Sequence, residues 1–382
     1  MKKNHVEIPF FLPYIDNNDI KEIKNAASSS FLTSGPKLDE FENKFKKFTG
    51  SRYAIGVSNA TAALHLSLKA LGIGKNDQVI IPDLTFAATA NSIIHAGATP
   101  VLADIDEKTL NISVDSIKKN INKRTKAIIP VHLAGLACEM KKINQIAISN
   151  SLKIIEDCAH AIGTKFGTKH VGNFGTTGCF SFYPTKNLTT IEGGMVITND
   201  KKTADFIRLA RNHGISKSLM TRYQSGKPWE YDIETIGYNY RLDELRSALG
   251  ISQLSKLKIL NKKRFDISLY YTTALENTLG IITPDKKSLK QSACHLYIIR
   301  ITKNAKLSRD GLFQHLQKCG IGTSVHYKPL HEFKLIKKSA IKKDSLSMTK
   351  KISNEILSLP LYPQLTKSNQ NYIINTIKTA LN

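Results

Sequence analysis

Between residues 50 and 160, short apolar runs rich in Ile and Val alternate with stretches whose apolar positions recur at helical spacing. The runs predict strands over residues 53–57, 78–82, 101–104, 127–131 and 152–157, separated by helices near 61–71, 87–96, 114–121 and 139–149. In the first helix Leu64, Leu68 and Leu71 recur at i, i+4 and i+7, and Gly72 is placed to end it. Strands alternating with helices imply βαβ units, right-handed crossovers and a mainly parallel sheet covered on both faces. Ligands of such sheets sit at the carboxyl ends of the strands. After residue 175 two closely spaced strands, 178–183 and 195–198, precede a helix over 203–212, and a stretch from 242 to 275 with few breakers predicts one long helix. Beyond it lie a strand (295–301), a helix capped by Ser308 and closed before Gly320, a strand (323–327) and two terminal helices. The expected fold is α/β: a large ligand-binding domain over residues 1–245 and a smaller C-terminal α+β domain over 246–382.

Composition sharpens this picture at two points. The 382 residues are 41% hydrophobic, enough to bury a large core, yet 55 Lys+Arg stand against 31 Asp+Glu, a net charge of +24. Such a surplus points to nucleic acid, an anionic membrane or an acidic substrate. Only ten of the basic residues are Arg, however, and the lysines fall in scattered pairs such as Lys118-Lys119, Lys262-Lys263 and Lys337-Lys338. That pattern reads as solvated helix faces, without the arginine forks that read guanine or phosphate, so no nucleic acid is expected as a partner. The five cysteines are odd in number and far apart, which disfavours a disulfide framework or a zinc site, and no metal is expected. No signal-like N-terminus and no 18-residue apolar stretch occurs, so a soluble, cytoplasmic protein without a membrane partner is expected.

The phosphate loop of NTPases, the dinucleotide glycine fingerprint, the hydrolase nucleophile elbow and the zincin motif are all missing from the sequence. Four other segments fall where strands end or loops begin. Ser58-Asn59-Ala60-Thr61 opens a helix with small residues, so backbone N–H groups can approach a phosphate; taken alone, the segment reads first as a plain turn capped by Asn59 or Thr61. Asp157 ends a strand, where it can hold the proton of a ring nitrogen or simply cap a helix, and His160 stands three residues on. Lys186 lies in the aromatic, Pro-constrained run Phe180-Ser181-Phe182-Tyr183-Pro184-Thr185-Lys186, followed by Glu192-Gly193-Gly194. Desolvation there would supply the neutral amine that a Schiff base requires. Gly237-Tyr238-Asn239-Tyr240-Arg241 is a polar turn before the long helix. An anion site, a strand-end Asp and a desolvated Lys together are what pyridoxal 5'-phosphate requires, with Phe86 either stacked on its ring or part of the core.

These residues and their neighbours resemble a known family. Thr33-Ser34-Gly35-Pro36 with Phe41-Glu42, then SNATAALHLSL, VIIPDLTFAATANSI, GATPVLADID, IIPVHLAG, EDCAHAIG, CFSFYPTKNLTTIEGGMVITND, RNHG, IGYNYRLDELRSALGISQL, GIGTSVHYKPLH and LPLYP follow the order of motifs in the DegT/DnrJ-type nucleotide-sugar aminotransferases, enzymes of fold-type I. The resemblance implies that Lys186 is the Schiff-base lysine and acid/base, that Asp157 pairs with the pyridine nitrogen and that His160 lies near the phenolic oxygen. It implies that Phe86 stacks on the ring, that Ala60, Thr61 and Ser181 hold the phosphate, and that Asn239 reaches the phosphate of a neighbouring subunit in a homodimer. Thr33, Tyr183 and His326 match positions lining the sugar pocket. A lysine at 186 excludes the family's sugar dehydratases, which carry histidine there. His160 departs from the glutamine common in the family and resembles members acting at carbon 4 of the sugar; carbon 3 stays open. The implied reaction passes an amino group from L-glutamate to a nucleotide diphosphate keto sugar.

Overall fold

The computed structural model describes residues 7–216 and 229–381. Over these residues the main sheet has seven strands, β1 (Tyr53–Val57), β2 (Gln78–Pro82), β3 (Thr99–Ala103), β4 (Thr125–Ile128), β5 (Lys153–Asp157), β8 (Thr177–Ser181) and β9 (Gly194–Thr198), in the order β1-β9-β8-β5-β4-β2-β3. A small hairpin, β6 (Lys165–Phe166) with β7 (Lys169–His170), sits between β5 and β8 in the chain. Strands β8, β5, β4, β2 and β3 pair in parallel, and β9 runs antiparallel to both β8 and β1. The expected mainly parallel sheet is therefore present, with one reversed strand. That reversal matters for the site, because the first residue of β9, Gly194, lies at the same sheet edge as the last residues of β1, β5 and β8.

Five strands of the sheet are buried along almost their whole length, as strands covered on both faces must be. The helix Ala60–Ala70 buries every residue from Ala62 to Leu68 and packs against the helices Ala87–His95 and Lys201–Ala210. The helix Glu244–Leu275 starts on an Asp243 cap, whose Oδ1 accepts from the Arg246 N–H at 2.8 Å. Its first half lies on the helices Asn17–Ala27 and Pro36–Thr49, while Ile267, Tyr271 and Leu275 enter a second core around β10 (Ile281–Ile282), β11 (Tyr297–Ile301) and β12 (Ile356–Leu359). Gly250 sits mid-helix because the Phe41 ring lies where its Cβ would be, 2.6 Å away.

Three sequence expectations are corrected here. Residues 323–327 form no strand; only Ser324 bridges to Ser358. The strand of that region is β12 (Ile356–Leu359), which the sequence reading did not place. Three helices, Lys334–Ser339, Ser347–Ser353 and Lys367–Leu381, stand in place of two. Ile8 returns from the N-terminus to the second core, pairing with Gly320 and Gly322. All six paired lysines named above are exposed on helices. Among the described residues no helix is long and apolar enough to cross a membrane.

Candidate active site

The carboxyl edge of the main sheet gathers the predicted groups. Asn59 resolves the capping alternative: its Oδ1 accepts from the Ala62 N–H at 2.8 Å, so Asn59 and not Thr61 caps the helix Ala60–Ala70. The N–H groups of Ala60 and Thr61, in the first turn, have no partner within the helix. Gly194 closes this corner. A Cβ there would sit 2.5 Å from the Asn59 carbonyl carbon and 2.9 Å from the Ala60 nitrogen, so only glycine lets β9 pass so close to the helix start. Ser181 ends β8 opposite Gly194.

Asp157 is buried at the end of β5. One carboxylate oxygen accepts from Thr89 Oγ1 at 3.0 Å, the other from the Ala159 N–H at 3.1 Å, and Thr85 Oγ1 lies 3.0 Å from Thr89 Oγ1. Burial raises its carboxyl above the usual range, partly offset by those donors and by Lys186. Its neighbour Glu156 faces the other way and is structural: it accepts from the Gly172, Phe174 and Gly175 N–H groups at 2.7, 2.6 and 2.6 Å and pairs with His132 at 3.0 Å. His132, Glu156 and Cys158 stand close enough to share a metal ion, but the carboxylate's capacity is already taken by these four donors.

Lys186 is half-buried, with its N–H on the Tyr183 carbonyl at 2.9 Å. Loss of water around the ammonium lowers it to about 8, with Asp157 acting in the opposite direction. It lines a small cleft with Phe10, Thr185, His295, His326 and Tyr327. His160 is buried; its Nδ1 accepts from the Ala134 N–H at 3.3 Å and its Nε2 lies 3.0 Å from Tyr327 Oη. Burial keeps this imidazole uncharged, so the Nε2 proton donates to Tyr327. His326 Nδ1 lies 2.8 Å from Ser358 Oγ, and burial lowers the ring to about 4. Phe86 is 60% exposed, which excludes the core alternative, and its ring centroid lies 5.8 Å from that of Tyr327.

The remaining predicted residues stand farther out. Tyr183 is 47% exposed beside the lysine. Asn239 is exposed on a turn whose flanking amides are fixed, Tyr238 to Ala210 and Tyr240 to Arg211, while the Tyr240 carbonyl accepts from the Ser58 N–H at 2.8 Å. Thr33 is exposed in the loop between the first two helices. Sequence reasoning missed Thr85, Thr89, Tyr327 and His295. Of these Thr85 and Thr89 carried a signal, two hydroxyls at i and i+4 entering a helix otherwise built of small residues.

A buried strand-end carboxylate, a lysine with depressed ammonium, a backbone anion corner that admits no Cβ and an exposed aromatic ring fit pyridoxal phosphate, and with the sheet order they define an aminotransferase of fold-type I. The particular family follows from comparison: the chain belongs to the DegT/DnrJ/EryC1/StrS aminotransferase family, whose sequence profile matches residues 13–378. It is 40% identical to the spore coat polysaccharide biosynthesis protein SpsC of Bacillus subtilis over 380 residues, 99% of this chain and 97% of that one. The putative sugar aminotransferase Spr1654 of Streptococcus pneumoniae, in its PMP-form, superimposes with a TM-score of 0.91 at 30% identity, covering 98% of this chain and 99% of that one. PseC of Helicobacter pylori, an aminotransferase involved in the biosynthesis of pseudaminic acid, does so with a TM-score of 0.90 at 31% identity, with 98% and 99% covered. The protein is a sugar aminotransferase, and its cofactor is pyridoxal phosphate.

Proposed function

We propose that this enzyme transfers the amino group of L-glutamate to a nucleotide-linked 4-keto sugar, in the cytoplasm and as a homodimer with shared sites, giving an amino sugar nucleotide for a surface polysaccharide or glycan. The observation that carries the reading is the convergence of Lys186 and Asp157 at one sheet edge, where burial moves the lysine toward the neutral amine the reaction needs and the Ala159 N–H, Thr89 and Lys186 favour the ionised carboxylate of Asp157 against its burial. When bound, the cofactor supplies an aldehyde that amines condense with and a ring that accepts electrons. Lys186 would hold the cofactor through its amine and, when free, would carry the proton that the transfer of the amino group requires. Asp157, oriented by Thr89, keeps the ring nitrogen protonated. The Ala60 and Thr61 N–H groups and Ser181 hold the phosphate, Phe86 covers the ring face and His160 stands beside the phenolic oxygen. Thr33, Tyr183 and His326 contact the sugar, and the exposed Asn239 reaches the partner subunit's site. The polysaccharide role of SpsC and the sugar chemistry of PseC support the substrate class, and His160 supports carbon 4. The division into a cofactor-binding domain over residues 1–245 and a smaller domain over 246–382 is supported by the second core, which the long helix joins from Ile267 onward, while its first half packs with the N-terminal helices.

The test is mass spectrometry and NMR of products from a panel of keto-sugar nucleotides supplied with glutamate. A 4-amino sugar nucleotide is expected; a 3-amino product or no amination of any 4-keto sugar overturns the proposal. Lys186→Ala should abolish turnover and the visible absorbance of the bound cofactor, and turnover retained in that variant would remove Lys186 from the chemistry.

A further inference from the structure

The loop that carries Lys186 has few bonds of its own. Among the described residues Lys186 makes one hydrogen bond, its N–H to the Tyr183 carbonyl, and the next backbone N–H with a partner is that of Thr190, on the Phe182 carbonyl at 2.9 Å. Between them stands Asn187, only 5% exposed, whose amide reaches three distant groups. Its Nδ2 donates to Asn261 Oδ1 at 2.8 Å and to the Ala293 carbonyl at 2.7 Å, and its Oδ1 lies 3.1 Å from His295 Nδ1. The partners fix which end of the amide is which. Asn261 Nδ2 donates to the Ile162 carbonyl at 3.0 Å, so Oδ1 is the atom it turns to Asn187. Reversing the Asn187 amide would set oxygen against oxygen at both Asn261 and Ala293, so His295 Nδ1 is the donor to Asn187.

Each partner is held in turn. Gly163 makes room for Asn261, since a Cβ there would sit 2.5 Å from Asn261 Nδ2. The Ala293 N–H donates to Thr164 Oγ1 at 3.0 Å, and that hydroxyl donates to the Gly135 carbonyl at 2.6 Å. The His295 carbonyl accepts from the Arg264 guanidinium at 3.4 Å, which also donates to the Leu361 carbonyl at 2.8 Å. Asn261 and Arg264 lie one turn apart on the long helix, and residues 293–295 lead into β11. The residue after Lys186 is thus clamped by C-terminal elements that are themselves fixed.

We propose that Asn187 is a positioning residue for Lys186: its side chain ties the lysine loop to the long helix and to the segment before β11, and so keeps the amine in its water-poor place in the cleft. The proposal rests on the reading of Lys186 as the working amine. Burial is what lowers that ammonium, so a loop released from its clamp admits water and returns the amine toward an ordinary lysine. The titratable groups that act on Lys186 or feel its charge are Asp157, His160, His295 and His326.

The experiment uses the full chain stripped of cofactor. The rate at which an amine-acylating reagent labels Lys186 is followed against pH by peptide mass spectrometry. Asn187→Ala should move the midpoint up from about 8 by about one pH unit. Asn261→Ala removes one bond of the clamp from the other side, and should shift the midpoint the same way by less. In the double variant it should add less than it does alone, because the bond it breaks is already gone. Tyr271→Phe is the control for loosening in general: it deletes a buried hydrogen bond to the Pro360 carbonyl in the second core and should leave the midpoint in place. An unchanged midpoint in whichever of Asn187→Ala and Asn261→Ala folds, an equal shift in Tyr271→Phe, or full additivity in the double variant overturns the proposal. Because the labelling uses cofactor-free protein it bears on the clamp alone, whereas turnover retained by Lys186→Ala strikes the underlying reading.

Discussion

Adjacent residues of a strand point to opposite faces, and at the end of β5 that rule divides two carboxylates between two tasks. Glu156 turns into a nest of backbone amides and His132, and Asp157 turns toward Thr89 and the lysine. The sequence shows that the two face apart, but which of them faces the cleft depends on helices and loops far away in the chain. Isosteric amides separate the roles. Asp157→Asn should keep the cofactor and lose most of the turnover with little change in melting temperature. Glu156→Gln should leave a buried amide N–H poorly paired, costing about 1–3 kcal/mol of stability while the residual folded enzyme still turns over; thermal unfolding and steady-state kinetics on both variants check this. Lys186 gives a pH prediction. With the ammonium lowered to about 8, about 9% of the amine is neutral at pH 7, against about 0.03% for an ordinary lysine. Deprotonation liberates the nucleophile, so the rate of cofactor loading into cofactor-free protein should rise about tenfold per pH unit below 8 and level off above it. Stopped-flow absorbance measures that profile; a rise continuing to pH 10 would show an ordinary lysine.

At the scale of elements the alternation of apolar runs and helices was sufficient to place β1 through β5, because a parallel strand buried on both faces must be apolar throughout. Its ends were less legible: β3 begins at Thr99 and β4 ends at Ile128 because their pairing with β2 stops there. The β12 strand escaped notice since its four buried residues, Ile356–Leu359, three of them apolar, are too few to have a periodicity that tells strand from helix. Residues 323–327 gain only one bridge, Ser324 to Ser358, and form no strand. The long-range supports were invisible in sequence as well. Glu244, at the start of the long helix, accepts from the Lys37 and Leu38 N–H groups at 2.8 and 2.9 Å and thereby caps a helix more than 200 residues earlier. Glu244→Ala should cost about 2 kcal/mol, read from denaturant unfolding, as caps of buried helix starts do. The corner between β9 and the helix Ala60–Ala70 is tighter still. In Gly194→Ala the new methyl must push Asn59 and the anion-binding amides away, so cofactor affinity should fall at least tenfold for a stability loss of about 1–3 kcal/mol. A titration of the cofactor absorbance gives the ratio, and unchanged affinity would mean that the phosphate is held elsewhere.

Across the whole molecule the main sheet and the C-terminal segments are joined by buried charges. Asp104 at the end of β3 accepts from the Met348 and Thr349 N–H groups, Asp83 holds His331 at 2.6 Å, and Arg300 bridges Glu107 and Glu355. The surplus of +24, met first as a hint of nucleic acid, is better matched to exposed lysines on helices and to anionic ligands. Together with the buried histidines it sets how the fold should respond to acid. Burial lowers His65 and His170 to about 4 and holds His160 and His295 well below the ordinary value of 6.5. Between pH 6.5 and 4 the unfolded chain protonates these rings while the folded chain keeps them neutral, so the unfolded state binds more protons and stability falls as the pH falls. Each ring adds a slope of up to about 1.4 kcal/mol per pH unit. Asp83 and Asp157, raised by burial, act with the opposite sign, but the histidines outnumber them and charge repulsion in a basic chain adds to the loss. Denaturant midpoints of the cofactor-free protein should therefore drop steadily from pH 7 to pH 4.5, and raising the ionic strength should recover only the part due to surface repulsion. A midpoint that stays flat across that interval would mean that the buried imidazoles as a group take up protons in the folded protein as readily as in the unfolded chain, against the burial that lowers His65, His160, His170 and His295.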